Sequence, residues 1–248
     1  MYNELIKEIL VDGDITKPSK GVVMSVFGRT LRFKNLPLIS SRKIYTKGIV
    51  GELRGFMNNV KTQEEFESYG CKFWKDWMNP DGTVDVDYAR LLHDFNSIDQ
   101  LSRVVTSLKT KPHSRKHIIS IWDPSSKAKQ VPCVLSYQYK VVGDRLSLIW
   151  TQRSIDVMIG LPSDMVSSWV LLHLMAEATG YIADEVIMQL GDCHIYEEHW
   201  EMADIQSKRD TSNCPTPFMT VDFKSLQDFD VEFHNYNPLP AIKYELKV

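Results

Sequence analysis

Cys133 stands directly after Pro132 and opens the run CVLSYQYKVV. A lone cysteine is most often a small buried hydrophobe, but its thiolate is a strong nucleophile, and a nearby cation favours that form. A second run, TQRSIDVMIGLPSD at 151–164, brings Gln152, Arg153, Ser154 and Asp156 within five positions. Donors, a cation and a carboxylate this close together exceed what a strand end needs for packing. In DCHIY, residues 192–196, His194 and Tyr196 alternate, so an extended chain points both to one side. Hydrogen bonding to a ligand hydroxyl suits this pair better than a metal, because His199 is a poor geometric match for a third ligand. HSRK, residues 113–116, sets Arg115 and Lys116 ahead of a strand, where they form either a phosphate clamp or an ordinary solvated turn.

Two carboxylates interrupt apolar helical patterns. Glu52 lies in GIVGELRGF, where it either pairs with Arg54 or Lys47 or is a buried acid with a raised pKa. Asp164 lies in LPSDMVSSW, at the head of an otherwise apolar helix. Helix N-capping is the ordinary explanation for an aspartate there.

These residues need elements to hold them. Apolar spacing predicts a helix over 2–11 and another from Lys47 to Asn58, while GVVMSVFGRTLRF at 21–33 reads as a strand, joined to the first helix by the basic loop DITKPSKG. A helix is predicted to run from the cap Thr62 through TQEEFESYGCKFWKDW, with Glu65 completing a capping box and Trp74 and Trp77 on one face. Ser97 to Thr110 reads as helix and HIISIW as a short buried strand. The clearest hairpin is CVLSYQYKVV, the turn GD, then RLSLIWTQRS. A two-residue turn at 143–144 pairs positions whose numbers sum to 287, which sets Cys133 opposite Ser154. Bringing Arg153 beside Cys133 therefore requires a bulge or a strand end. Residues 164–179 read as a central helix ending at Gly180, followed by a strand near 186–190 and short strands toward the C-terminus. Interleaved helices and hairpins predict an α+β or mixed α/β fold, not a parallel doubly wound sheet.

The 248 residues are read as one domain, 1–248, since no linker-like stretch divides them. A formal net charge of -3 gives no electrostatic footprint for nucleic acid or an anionic membrane, so any phosphate is held by a few local basic residues. The first ten residues lack the apolar core of a signal peptide and no apolar run is long enough to span a bilayer, which points to the cytoplasm. The four cysteines, Cys71, Cys133, Cys193 and Cys214, form no CxxC pair, so neither a zinc site nor a disulfide framework is expected.

Taken in order and spacing, PC at 132–133, QRSIDVMIGLP at 152–162 and GDCHIY at 191–196 resemble the signature of the thymidylate synthase and deoxycytidylate hydroxymethylase superfamily. SVFGRTLRF, Glu52 in its helix, FWKDW at 73–77, Tyr88, IDQL at 98–101 and HSRK extend the resemblance over nearly the whole chain. It implies a three-layer α/β fold with a mixed sheet and a homodimer built sheet against sheet, in which Arg115 and Lys116 reach the partner's site. It implies a pyrimidine deoxynucleotide monophosphate as substrate and 5,10-methylenetetrahydrofolate as cosubstrate, with no metal. Cys133 would add to C6 of the base; Glu52 and Tyr88 would serve the chemistry at the base; Arg153, Gln152 and Ser154 would hold the nucleotide; His194 and Tyr196 would meet the sugar 3'-hydroxyl. Trp74, Trp77, Asp156, Gly160 and Val248, the last at the end of a closing tail, would line the folate site.

The sequence also departs from the synthases it resembles. Asp164 stands where they carry an asparagine whose amide matches uracil, and aspartate there resembles the deoxycytidylate hydroxymethylases. Val134 replaces a histidine, Ser163 and Gln130 replace large apolar residues near the folate, and Lys116 replaces an arginine. The resemblance therefore implies dCMP hydroxymethylation, with dCMP methylation or thymidylate synthesis on dUMP as alternatives. A phage or a nucleoside-antibiotic producer is the source that chemistry suggests. The phosphate-loop arginine falls near Pro18, with Lys17 or Lys20 as its replacement.

Overall fold

The computed structural model describes residues 1–247; Val248, expected at the folate site, lies outside the described residues. Helix α1 (Tyr2–Asp12) buries Leu5, Ile6 and Ile9 and is followed by a short strand β1 (Asp14–Thr16) that pairs with β2 (Val23–Phe33). The segment expected as a plain loop thus contains one edge strand. Helix α2 (Thr46–Met57) carries Glu52.

Helix α3 (Gln63–Ser68) begins at the expected capping box, Thr62 accepting from the Glu65 N–H while the Glu65 carboxylate accepts from the Thr62 N–H. It does not continue to Trp77. Gly70, at φ +88, donates to the Glu67 carbonyl and Cys71 donates to the Phe66 carbonyl, which is a glycine-terminated Schellman end. Trp77 instead closes a short 3-10 turn, Lys75–Trp77. Helix α4 (Tyr88–His93) follows, then α5 (Gln100–Thr110), which starts three residues after Ser97 because the Asp99 side chain caps the Ser102 N–H.

Strand β3 (Ile118–Ser120) is an edge strand, and β4 (Val134–Val142) and β5 (Arg145–Asp156) form the predicted hairpin about Gly143, at φ +61. Helix α6 (Gly160–Thr179) crosses to β6 (Ile182–Tyr196), which runs parallel to β5, while all other neighbours are antiparallel. The six-stranded mixed sheet has the order β1-β2-β6-β5-β4-β3. Helix α7 (Trp200–Ser207) and a separate hairpin of β7 (Phe218–Phe223) and β8 (Phe229–His234) complete one mixed α/β domain.

One side of the sheet buries Phe33, Leu148, Trp150, Val186 and Met188. Helix α6 lies against β5 and β6 and also touches α2, α5 and β7, which is why it is apolar nearly all round. Each fully buried aliphatic side chain in such a core contributes roughly 1.5–3 kcal/mol. The packing of α2 on α6 brings Glu52 and Asp164 to one pocket.

Candidate active site

The site begins with an irregularity in the hairpin. Pairing runs from Val142 opposite Arg145 to Ser136 opposite Thr151, and then slips by one, so that Val134 faces Gln152. This bulge moves Cys133 from Ser154 to Arg153. The Arg153 N–H donates to the Cys133 carbonyl at 2.9 Å, and the guanidinium Nη2 stands 3.9 Å from Cys133 Sγ. The guanidinium also donates to the carbonyls of Pro132 and Val131, each at 3.1 Å, and lies 5.6 Å above the Trp122 ring. An exposed arginine is thereby held in one place beside the thiol.

Burial pushes the Cys133 thiol above its ordinary value, Arg153 pulls it down, Asp164 raises it and Lys20 lowers it. The Cys133 N–H donates to the Tyr88 hydroxyl at 2.9 Å, and Gln130 Nε2 lies 3.9 Å from Sγ. Tyr88 stacks on Phe56 with ring centroids 5.1 Å apart and leans on Trp74. The aromatic cluster fixes the floor on which Cys133 sits.

Behind the thiol lies a pocket of about 70 Å³ walled by Glu52, Asp164, Trp74, Val134, Trp150 and Ser167, among others. Asp164 is the fifth residue of α6, because the helix begins at Gly160 and not at 164 as the apolar pattern suggested. It therefore caps nothing. Asp156 takes the work at the helix entry, its carboxylate accepting from the N–H groups of Met158 at 2.8 Å and Ile159 at 3.1 Å. Free of that task, Asp164 accepts from Gln152 Nε2 at 2.7 Å, and burial pushes its carboxyl up to about 7. Burial, reinforced by the Asp164 charge, pushes Glu52 up to about 8. Neither ion-pair partner offered by the sequence holds it: Arg54 bonds to Asp230 and the Phe229 carbonyl.

His194 Nδ1 lies 2.8 Å from Asp192 Oδ1, so Nδ1 carries the proton and Nε2 is left for a ligand. The His194 ring meets Tyr196 edge-on at 5.4 Å, on the same strand and side, as their alternation predicted. Asp156 is pushed up by burial and pulled down by His194 and His199. Trp74 and Trp77 do meet, at 5.5 Å, but through the 3-10 turn and not along one helix. Gly160 opens α6, where a Cβ would come within 2.9 Å of Ile155. Ser154 is half-buried on β5 opposite Asp192. Arg115 and Lys116 are exposed in the loop before β3 and enter no ion pair among the described residues. They are not joined to their own chain's thiol. Sequence reasoning missed Trp122, Trp150 and Ser167; of these, Trp150 was legible, since it shares the inward parity of Leu148 and Gln152.

This constellation of thiol, arginine, paired acids and histidine agrees with a match of the whole chain, residues 1–248, to the family described as thymidylate synthase. The chain belongs to the thymidylate synthase family. Thymidylate synthases from three strains of Francisella tularensis subsp. holarctica, FTNF002-00 / FTA, OSU18 and LVS, are each 31% identical to it over 271 residues, a span covering 100% of this chain and 99% of each relative. Thymidylate synthase family enzymes carry out folate-dependent one-carbon transfer to a pyrimidine nucleotide, with methylenetetrahydrofolate as cosubstrate, and this chain is a one-carbon transferase. Among the described residues no helix is long and apolar enough to cross a membrane.

Proposed function

We propose that the enzyme hydroxymethylates deoxycytidylate: dCMP, methylenetetrahydrofolate and water give 5-hydroxymethyl-dCMP and tetrahydrofolate. The observation that carries this reading is Asp164, a carboxyl pushed up to about 7 that faces a pocket and caps no helix. Cytosine presents an acceptor at N3 and a donor at its amino group. A carboxyl that holds a proton near neutrality accepts from the amino group with one oxygen and shares its proton with N3 through the other. Protonation at N3 also makes C6 a better electrophile. A buried polar mismatch of this kind discriminates by up to ~10⁴-fold.

Cys133 as thiolate adds to C6, and the electron pair displaced to C5 attacks the one-carbon unit that folate supplies. Arg153 and Lys20 lower the cost of the thiolate, and Arg153 is placed to meet the nucleotide phosphate. His194 Nε2 accepts from the sugar 3'-hydroxyl, with Tyr196 beside it. Ser154 orients the nucleotide, while Trp74, Trp77, Asp156 and Gly160 border the folate. Arg115 and Lys116 of the partner subunit complete the phosphate site in a homodimer. The open side of the sheet supports that assembly, since Ile149 and Ile187 face each other there only half-buried.

Hydroxymethyl transfer is favoured over methyl transfer by room for water near the reacting carbon: the Gln130 amide lies 3.9 Å from the thiol, and Val134 is smaller than an imidazole. The second reading, thymidylate synthesis on dUMP, is favoured by the names of the relatives. Dihydrofolate release separates the products, because methyl transfer consumes hydride from folate and hydroxymethyl transfer does not. With dCMP as sole nucleotide, hydroxymethyl product without dihydrofolate is expected; stoichiometric dihydrofolate would overturn the reading.

A further inference from the structure

Two residues that wall the pocket between Glu52 and Asp164 have polar atoms without a protein partner, Trp150 Nε1 and Ser167 Oγ, while the Trp74 indole is turned toward Glu52. Trp150 is 4% exposed and Ser167 is 5% exposed, so bulk solvent does not satisfy them. Buried N–H and O–H groups are almost always bonded to protein or to ordered water. A pocket of about 70 Å³ has room for a few waters, and this one offers indole donors, a hydroxyl and two carboxyls, the two to four partners that a buried water requires. Packing alone does not demand an indole on β5, because Leu146 and Leu148 fill the neighbouring inward positions completely buried.

We propose that this pocket is a water-binding chamber, and that Trp150 Nε1 and Ser167 Oγ hold the water consumed in hydroxymethyl transfer. The inference rests on the hydroxymethyl reading above and names the residues that decide the product. After the folate has left, the base carries an exocyclic methylene at C5 and the Cys133 sulfur at C6. The water oxygen bonds to the methylene carbon, and one water proton passes to the Glu52 carboxylate. The methylene π pair moves into the ring, then forms the C5–C6 double bond as the C6–S bond breaks and Cys133 departs as thiolate. Atoms and electrons balance with no oxidant or reductant. Burial and Asp164, which hold the Glu52 carboxyl near neutrality, suit it to take that proton. Trp150 and Ser167 are positioning residues, acting through the water.

The test compares wild type, Trp150→Phe and Ser167→Ala with [5-³H]dCMP and methylenetetrahydrofolate in H₂¹⁸O. Tritium release counts every base that has reacted at C5, whatever the product. Mass spectrometry counts those that gained ¹⁸O-hydroxymethyl. In wild type the two counts are expected to agree. In each variant the ratio of hydroxymethyl product to tritium released is expected to fall by about tenfold, the scale of one lost hydrogen bond to a reacting group. Equal loss of both counts, or an unchanged ratio, would overturn the chamber while leaving the hydroxymethyl reading standing. Wild type that releases tritium without ¹⁸O product would overturn that reading itself, and the chamber with it.

Discussion

Gln152 Nε2 donates to Asp164 Oδ2 at 2.7 Å, linking the inward side of β5 to the first turns of α6. In the proposed reading of cytosine, Oδ1 is then the oxygen that shares its proton with N3. Gln152, at 2% exposure, holds the Asp164 carboxyl in place. Replacing Asp164 by Asn supplies an amide that matches uracil, and the kcat/KM ratio of dCMP to dUMP is expected to drop by ~10²–10⁴-fold. Competition kinetics on the variant measure this, and unchanged selectivity would reduce Asp164 to a structural role.

Arg153→Lys keeps a positive charge but loses the fork that grips the carbonyls of Pro132 and Val131. KM for the nucleotide is expected to rise ~10–100-fold, by loss of bidentate phosphate contact. Arg153 also pulls the Cys133 thiol down, so the limb of kcat/KM that rises with pH should move to higher pH in the variant. A limb that stays in place would mean that the arginine serves the phosphate alone.

Glu52 links the site to stability. A carboxyl held up to about 8 when folded, against 4.5 when free, binds its proton more tightly in the folded state. Its contribution is therefore present below the free value and is lost as pH rises through that window. Urea unfolding at about pH 5 and about pH 8 should show wild type losing stability relative to Glu52→Gln as pH rises. A gap independent of pH would contradict the raised carboxyl.

Arg115 and Lys116 are exposed and make no ion pair among the described residues, and their proposed place in a partner's site is open to a mixing experiment. Mixing inactive Cys133→Ala and Arg115→Ala proteins under exchange conditions should restore about a quarter of wild-type activity, since half the dimers are mixed and each holds one complete site. No recovery would place Arg115 in its own subunit's site or outside the site altogether.

Much of this arrangement was legible in the sequence because it is local. Turn geometry fixed the β4–β5 register, and the one-residue slip was required by the demand that Arg153 meet Cys133; it occurs between Val134 and Ser136. The capping box at Thr62 and the glycine end of α6 followed from residue types alone. Tertiary choices were less visible. The apolar pattern of α6 does not mark its start, because Gly160, Leu161 and Pro162 enter a helix only once Asp156 secures the turn before it. Gly70 breaks the run that amphipathic spacing carried to Trp77. The pairing of Glu52 with Asp164 depends on α2 packing against α6, which no local spacing encodes.

Base specificity is tested most directly by offering purified protein equal dCMP and dUMP with methylenetetrahydrofolate and weighing both nucleotides by mass spectrometry. A hydroxymethyl increment on dCMP, with dUMP untouched, is the expected result. Modification of dUMP alone would contradict the role of Asp164 as the reader of cytosine.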